Sequence, residues 1–244
     1  MAELVRIAMW SGPRNISTAM MRSFGSRADT WVVDEPFYAA YLAISGADHP
    51  MTAETLVSQP NDWRDVVPQL LASSPGGRNV FYQKHMTHHM LSGFGLDWMA
   101  KCRNAFLIRD PDAVLASYAV KRGEVSLEDV GFVQQAEIFR READRLGYAP
   151  PVIEGADILR DPKDMLLKLC RAVGIPWDEA MLNWPAGRRE TDGVWAPAWY
   201  DAVEKSTGFE PPKTEKRKPL ADHLQRIADE ARPHYDMLAK WKIT

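Results

Sequence analysis

An α/β fold, built on a central, mostly parallel sheet with helices on both faces, is predicted by three features of the sequence. Short apolar runs alternate with helical patterns from Arg6 to Gly174, and such alternation builds right-handed βαβ crossovers. The first run, Arg6-Ile7-Ala8-Met9-Trp10, lacks polar alternation, as in a strand buried on both faces. Two Asp-Pro pairs, Asp110-Pro111 and Asp161-Pro162, follow later apolar runs, and an Asp cap with Pro at the first helical position starts a helix.

The elements follow in order. Ile16 to Phe24 reads as the first helix, closing at Gly25. Thr30-Trp31-Val32-Val33 is a second strand ending in Asp34-Glu35-Pro36. Residues 39 to 78 are mixed, with one helical piece over Trp63 to Leu71. Asn79-Val80-Phe81-Tyr82-Gln83-Lys84 is a third strand running into His85, and Asn104 to Arg109 a fourth running into Asp110-Pro111. A helix over 127–146 rests on a Ser126/Asp129 cap, an apolar stripe through Leu127, Val130, Val133, Ile138 and Leu146, and a stop at Gly147. Pro151-Val152-Ile153-Glu154 is the fifth strand, and the helix after Asp161 ends at Gly174. A last helical pattern covers Leu220 to Trp241, kinked or split at Pro233. The expectation is one domain over 1–244, with a helical extension from about 219 and a flexible segment over Ser206 to Pro219.

Composition narrows the function classes. A net charge of −3 argues against general nucleic-acid binding. No apolar run approaches a membrane span, and no charged-then-apolar export segment opens the chain. Cys102 and Cys170 lack C-x-x-C spacing, which suggests neither a disulfide framework nor a zinc knuckle. The expectation is a cytoplasmic protein without nucleic-acid or membrane partners. Trp177, Trp184, Trp195 and Trp199, near Pro185 and Pro197, either line a cleft or fill a loop-rich core.

The chemistry gathers in Trp10-Ser11-Gly12-Pro13-Arg14-Asn15-Ile16-Ser17-Thr18, which joins the first strand to the first helix. Free N–H groups and the positive dipole end of a helix hold phosphate. Arg14 adds a charge-assisted fork, and Ser17 and Thr18 add hydroxyls. A polar turn with an ordinary cap is the plain alternative. No lysine follows Gly12 before Lys84, so the loop lacks the Gly-Lys-Ser/Thr of nucleoside triphosphatases and suits a monophosphate end. Arg109 closes the fourth strand, and Ser117 stands about two turns into the next helix. Both can address a second anion, or Arg109 pairs with local carboxylates and Ser117 packs.

Here the chain resembles the P-loop sulfotransferases, which use 3′-phosphoadenosine 5′-phosphosulfate (PAPS). Pro13-Arg14-Asn15-Ile16-Ser17-Thr18 looks like their 5′-phosphosulfate loop, Pro-Lys/Arg-Ser-Gly-Thr-Thr. Arg109-Asp110-Pro111 with Ser117 looks like their 3′-phosphate element. Asn15-Ile16 stands where the family has Ser-Gly. The resemblance covers roughly residues 6 to 175, closest in feel to bacterial carbohydrate and small-molecule enzymes. It implies a P-loop three-layer architecture, PAPS held by residues 13–18, Arg109 and Ser117, and transfer of a sulfuryl group to a hydroxyl or amine of a small molecule or sugar. Lys216, Arg217 and Lys218 either join the 3′-phosphate or form a solvated run.

By analogy with phosphoryl transfer, the protein aligns the partners and stabilises charge on the leaving oxygen. Arg14 stands at the bridging oxygen in this reading. Glu35, in a Glu-Pro-Phe context resembling a strand-end glutamate of some bacterial carbohydrate and tyrosylprotein sulfotransferases, is the first choice of base. His85 is the second, because the cytosolic branch uses a histidine after the third strand. Lys84 is a candidate to neutralise acceptor or sulfate charge. His85, His88 and His89 have no carboxylate in metalloprotease spacing, and the reaction calls for no metal. Two rivals share the loop: a kinase or nucleotide hydrolase that lost its lysine, and a non-catalytic binding module for adenosine bisphosphate.

Overall fold

The computed structural model describes residues 4–73, 75–118, 125–211 and 219–244. Five strands form the sheet: β1 (Val5–Ser11), β2 (Thr30–Asp34), β3 (Val80–Met86), β4 (Arg103–Ile108) and β5 (Val152–Glu154). Their order is β2-β3-β1-β4-β5, and every pairing is parallel. The described helices are α1 (Ser17–Gly25), α2 (Tyr38–Ser45), α3 (Thr52–Ser58), α4 (Trp63–Leu71), α5 (Pro111–Tyr118), α6 (Leu127–Val130), α7 (Phe132–Leu146), α8 (Gly155–Arg160), α9 (Pro162–Ala172), α10 (Ala196–Trp199), α11 (Asp201–Lys205) and α12 (Asp222–Ala239).

Strand alternation divides the core into two layers. Ile7 and Met9 of β1 pack with Met20, Met21 and Phe24 of α1 and Leu166 and Leu169 of α9. Ala8 and Trp10 face the other way, toward Val66 and Leu70 of α4, Ala136 and Phe139 of α7, and Leu238 of α12. Each large apolar side chain buried this way stabilises the fold by about 1.5–3 kcal/mol. The three-layer α/β architecture expected from the sequence is therefore the one observed.

Four expectations need correction. The stretch 39–78, expected to hold one helical piece, carries α2 and α3 as well as α4. β3 runs on to Met86, so His85 lies inside the strand and points opposite to Lys84. The helix expected over 127–146 is two, because Gly131 takes φ +67 between α6 and α7. A Cβ there would stand 2.6 Å from Thr87 Oγ1 and 2.8 Å from the His88 nitrogen. The capping box at Ser126 and Asp129 is present, but close approach of the turn after β3 breaks the helix that it starts. Conversely, of the kink or split expected at Pro233 the split is absent, and α12 runs as one helix. Its Arg232 pairs with Asp110 at 2.8 Å and Asp112 at 2.9 Å, fastening α12 to the start of α5.

Candidate active site

The turn after β1 carries the first group of site residues. Gly12 has room for no side chain, since a Cβ would lie 2.8 Å from the Val130 carbonyl oxygen. Arg14 is left-handed at φ +55. Asn15 stabilises the bend that a Ser-Gly pair would otherwise supply: its Oδ1 accepts from the Ile16 N–H at 3.0 Å, and its Nδ2 donates to the Leu107 carbonyl at 3.1 Å. At the start of α1 no side chain caps the backbone, and no acidic residue lies in the first turn. Those N–H groups, without intrahelical acceptors, face the cleft with the positive end of the dipole.

The second group meets the first. Arg14 Nε donates to Ser117 Oγ at 3.1 Å, and Arg109 Nη1 donates to the Arg14 carbonyl. β1 and β4 are neighbours, which is why segments 95 residues apart in sequence touch. Burial lowers the pKa of Arg14 from its ordinary value, but a guanidinium stays charged. Among the described residues no carboxylate pairs with it.

On the far side of the cleft is a charged cluster. Glu35 follows β2 with φ +41. Asp34 and Lys84 are register partners in the β2–β3 pairing. Lys84 Nζ donates to Asp34 Oδ1 at 2.9 Å, Glu35 Oε1 at 2.7 Å and the Tyr200 hydroxyl at 2.7 Å. An ammonium has three protons, and these bonds use all of them. Lys84 therefore has no proton left for the acceptor or sulfate charge that the sequence reading assigned to it. Burial by itself would lower its pKa, but Asp34 and Glu35 outweigh that and raise it. Burial raises the pKa of Glu35; Lys84 opposes that shift and Asp34 adds to it.

Histidines and aromatic rings wall the same end. The His89 ring is stacked with Tyr38 at 4.4 Å and with Tyr41 at 4.9 Å. Its Nε2 lies 3.9 Å from Glu35 Oε2. Burial holds the His89 pKa well below the ordinary value, so the imidazole is neutral. The Tyr38 hydroxyl bonds His49 Nδ1 at 2.7 Å. His85 belongs to none of this. It stacks on Trp10 at 4.5 Å in the opposite core layer, and burial pushes its pKa down to about 3.

A cleft of about 830 Å³ joins both groups: Pro13 to Thr18, Arg109 and Ser117 line it together with Glu35, Tyr38, His49, His88, His89 and Trp199. Sequence reasoning missed Tyr38, His49, Asp34 and Tyr200. Only Asp34 left a signal, as an acid at a strand end beside a lysine-bearing strand. Of the four late tryptophans Trp199 lines the cleft, whereas Trp195 and Trp184 are core. Lys216, Arg217 and Lys218 lie outside the described residues.

The family model of the sulfotransferase domain matches residues 5–240. The chain belongs to the sulfotransferase family. Two curated relatives of this sulfotransferase-family chain, from Arabidopsis thaliana, are similar in sequence. Branched-chain-amino-acid aminotransferase-like protein 1 is 36% identical over 238 residues, covering 98% of this chain and 42% of that protein. The like-named protein 2 is 36% identical over 207 residues, covering 85% of this chain and 36% of that protein. The chain thus spans less than half the length of these relatives. Solved structures share the fold at low identity. The sulfotransferase domain from the curacin biosynthetic pathway has a TM-score of 0.58 at 17% identity, covering 95% of this chain and 99% of that one. Mouse sulfotransferase SULT7A1 complexed with PAP has a TM-score of 0.51 at 12% identity, covering 95% and 84%. No described helix is long and apolar enough to cross a membrane.

Proposed function

We propose that this sulfotransferase-family chain moves a sulfuryl group from PAPS to a hydroxyl or amine of a small-molecule or carbohydrate acceptor. The observation that carries the reading is the meeting of Arg14, Arg109 and Ser117 beside an uncapped helix N-terminus, with a buried carboxylate across the same cleft. That set fits an anion with phosphates at both ends of an adenosine. Arg14, which has no carboxylate partner among the described residues, and the first N–H groups of α1 suit such a ligand.

When bound, PAPS supplies an activated sulfuryl group, whose S–O bond to the phosphate breaks as the acceptor oxygen or nitrogen bonds to sulfur. Arg14 and the first N–H groups of α1 stabilise the charge left on the departing phosphate. Ser17 and Thr18 add hydroxyl donors from the same turn. Arg109 and Ser117 hold the 3′-phosphate end and thereby fix the donor's register. Glu35 takes the acceptor proton at Oε2, since Oε1 is held by Lys84. A carboxylate whose pKa is raised by burial is a stronger base than an exposed one. The aromatic and histidine wall shapes the acceptor end.

Calorimetry decides between this reading and its rivals. Adenosine 3′,5′-bisphosphate is expected to bind without metal at a micromolar-range Kd, about −8 kcal/mol. Preference for ATP with magnesium would sink the proposal in favour of a kinase or hydrolase. Binding of the bisphosphate without any transfer from labelled PAPS across an acceptor screen would favour a non-catalytic module.

A further inference from the structure

Consecutive side chains of a strand point to opposite faces, yet Asp34 and Glu35 both reach the Lys84 ammonium. The reason is that Glu35 has turned out of the strand at φ +41. Asp34 is engaged at both oxygens. Its Oδ1 accepts from Lys84, while its Oδ2 accepts from the Tyr200 hydroxyl at 2.6 Å and the Gly193 N–H at 3.0 Å. The last two come from the segment 193–200, far along the chain, whose Trp199 and Tyr200 wall the cleft. Tyr200 has one proton, which lies between Asp34 Oδ2 at 2.6 Å and the more distant Glu35 Oε1 at 3.5 Å, and its oxygen accepts from Lys84 and from Trp195 Nε1 at 3.2 Å. Every proton in the chain Trp195–Tyr200–Asp34–Lys84–Glu35 therefore has an assigned acceptor.

We propose that Asp34 and Tyr200 are positioning residues for Glu35: they fix the Lys84 ammonium against Glu35 Oε1, so that Oε2 is the oxygen presented to the acceptor. This rests on the reading of Glu35 as the base. An ammonium with one acceptor could swing and take Glu35 with it, whereas one with three saturated protons holds a single orientation. The segment 193–200 thereby docks on the same carboxylate that orients the base, so this wall of the cleft and the setting of Glu35 share one anchor.

The clamp also determines where Glu35 titrates. The groups that face it are Asp34 on its own strand, Lys84 on β3, Tyr38 on α2, His89 after β3 and Tyr200 before α11, with His49 and His88 beyond His89. Of these, Asp34 opposes ionisation of Glu35, and the Tyr200 hydroxyl favours it. Replacing either moves Glu35 in opposite directions, which loss of packing alone would not do.

The test is a ¹³C NMR titration of the Glu35 carboxyl, assigned with Glu35→Gln, in the full chain and in Asp34→Asn and Tyr200→Phe. Asp34→Asn is expected to lower the Glu35 midpoint by about one pH unit, the lower end for loss of a neighbouring like charge. Tyr200→Phe is expected to raise it. Adenosine 3′,5′-bisphosphate affinity serves as the folding control, and if Asp34→Asn fails it, Tyr200→Phe decides. Midpoints unmoved in folded variants overturn the clamp and leave the base assignment standing. Full sulfuryl transfer by Glu35→Gln overturns the base assignment, and the proposal with it, whatever the titration shows.

Discussion

Arg109 and Glu35 line one cleft but engage different partners, Arg14 and Lys84, so their removal has separable consequences. Arg109→Ala is expected to weaken adenosine 3′,5′-bisphosphate binding by about 1.5–3 kcal/mol, the scale of hydrogen bonds to charged groups, or about 10- to 150-fold in Kd. An unchanged calorimetric Kd removes Arg109 from the site. Glu35→Gln is expected to cut sulfuryl transfer by about 10²–10⁴-fold, the range for losing a general base, at nearly unchanged bisphosphate affinity. The two candidate bases read from the sequence differ by strand parity. Lys84 shares the cleft face with Met86, and His85, one residue on, is sealed among Trp10, Phe37 and Trp98. A strand prolonged by two residues turned a plausible base into a core side chain.

At the scale of elements, the turn between α6 and α7 bears on the site indirectly. Thr87 Oγ1 donates to the Gly131 carbonyl at 2.9 Å, which pins the segment carrying His88 and His89. Gly131→Ala puts a Cβ into that contact at positive φ, and a loss of about 1–3 kcal/mol is expected. Urea denaturation measures it, and a midpoint equal to wild type contradicts the account. The helix starts at Asp110-Pro111 and Asp161-Pro162 were legible because a cap is a local signal: Asp110 Oδ1 accepts from the Ala113 N–H at 3.1 Å, and Asp161 Oδ1 from Asp164 at 3.1 Å. The break at Gly131 was not, since its cause is a neighbour 44 residues away.

For the whole molecule, buried histidines make stability depend on pH. His85 in the fold resists protonation down to a pKa of about 3, against 6.5 as its ordinary value. Below pH 6.5 the unfolded chain takes up a proton that the folded chain refuses, so stability is full above 6.5 and is lost progressively toward pH 3. His89, also depressed, acts in the same direction. The urea midpoint of wild type is expected to fall between pH 7.5 and pH 5, and that of His85→Phe to fall less. Equal declines would contradict a neutral, buried His85.

The sequence by itself determined the order of the five strands, the polar turn after the first of them, the Arg109–Ser117 spacing and the resemblance that the family match bears out, because propensity, capping and loop chemistry are local. The tertiary structure decided which of those residues meet. The β1–β4 neighbourhood brought Arg14 to Ser117, the β2–β3 register saturated Lys84 with Asp34 and Glu35, and Tyr200 arrived from 166 residues away. Contacts of that length follow from strand order and register, which depend on how the whole core packs and which no local pattern encodes.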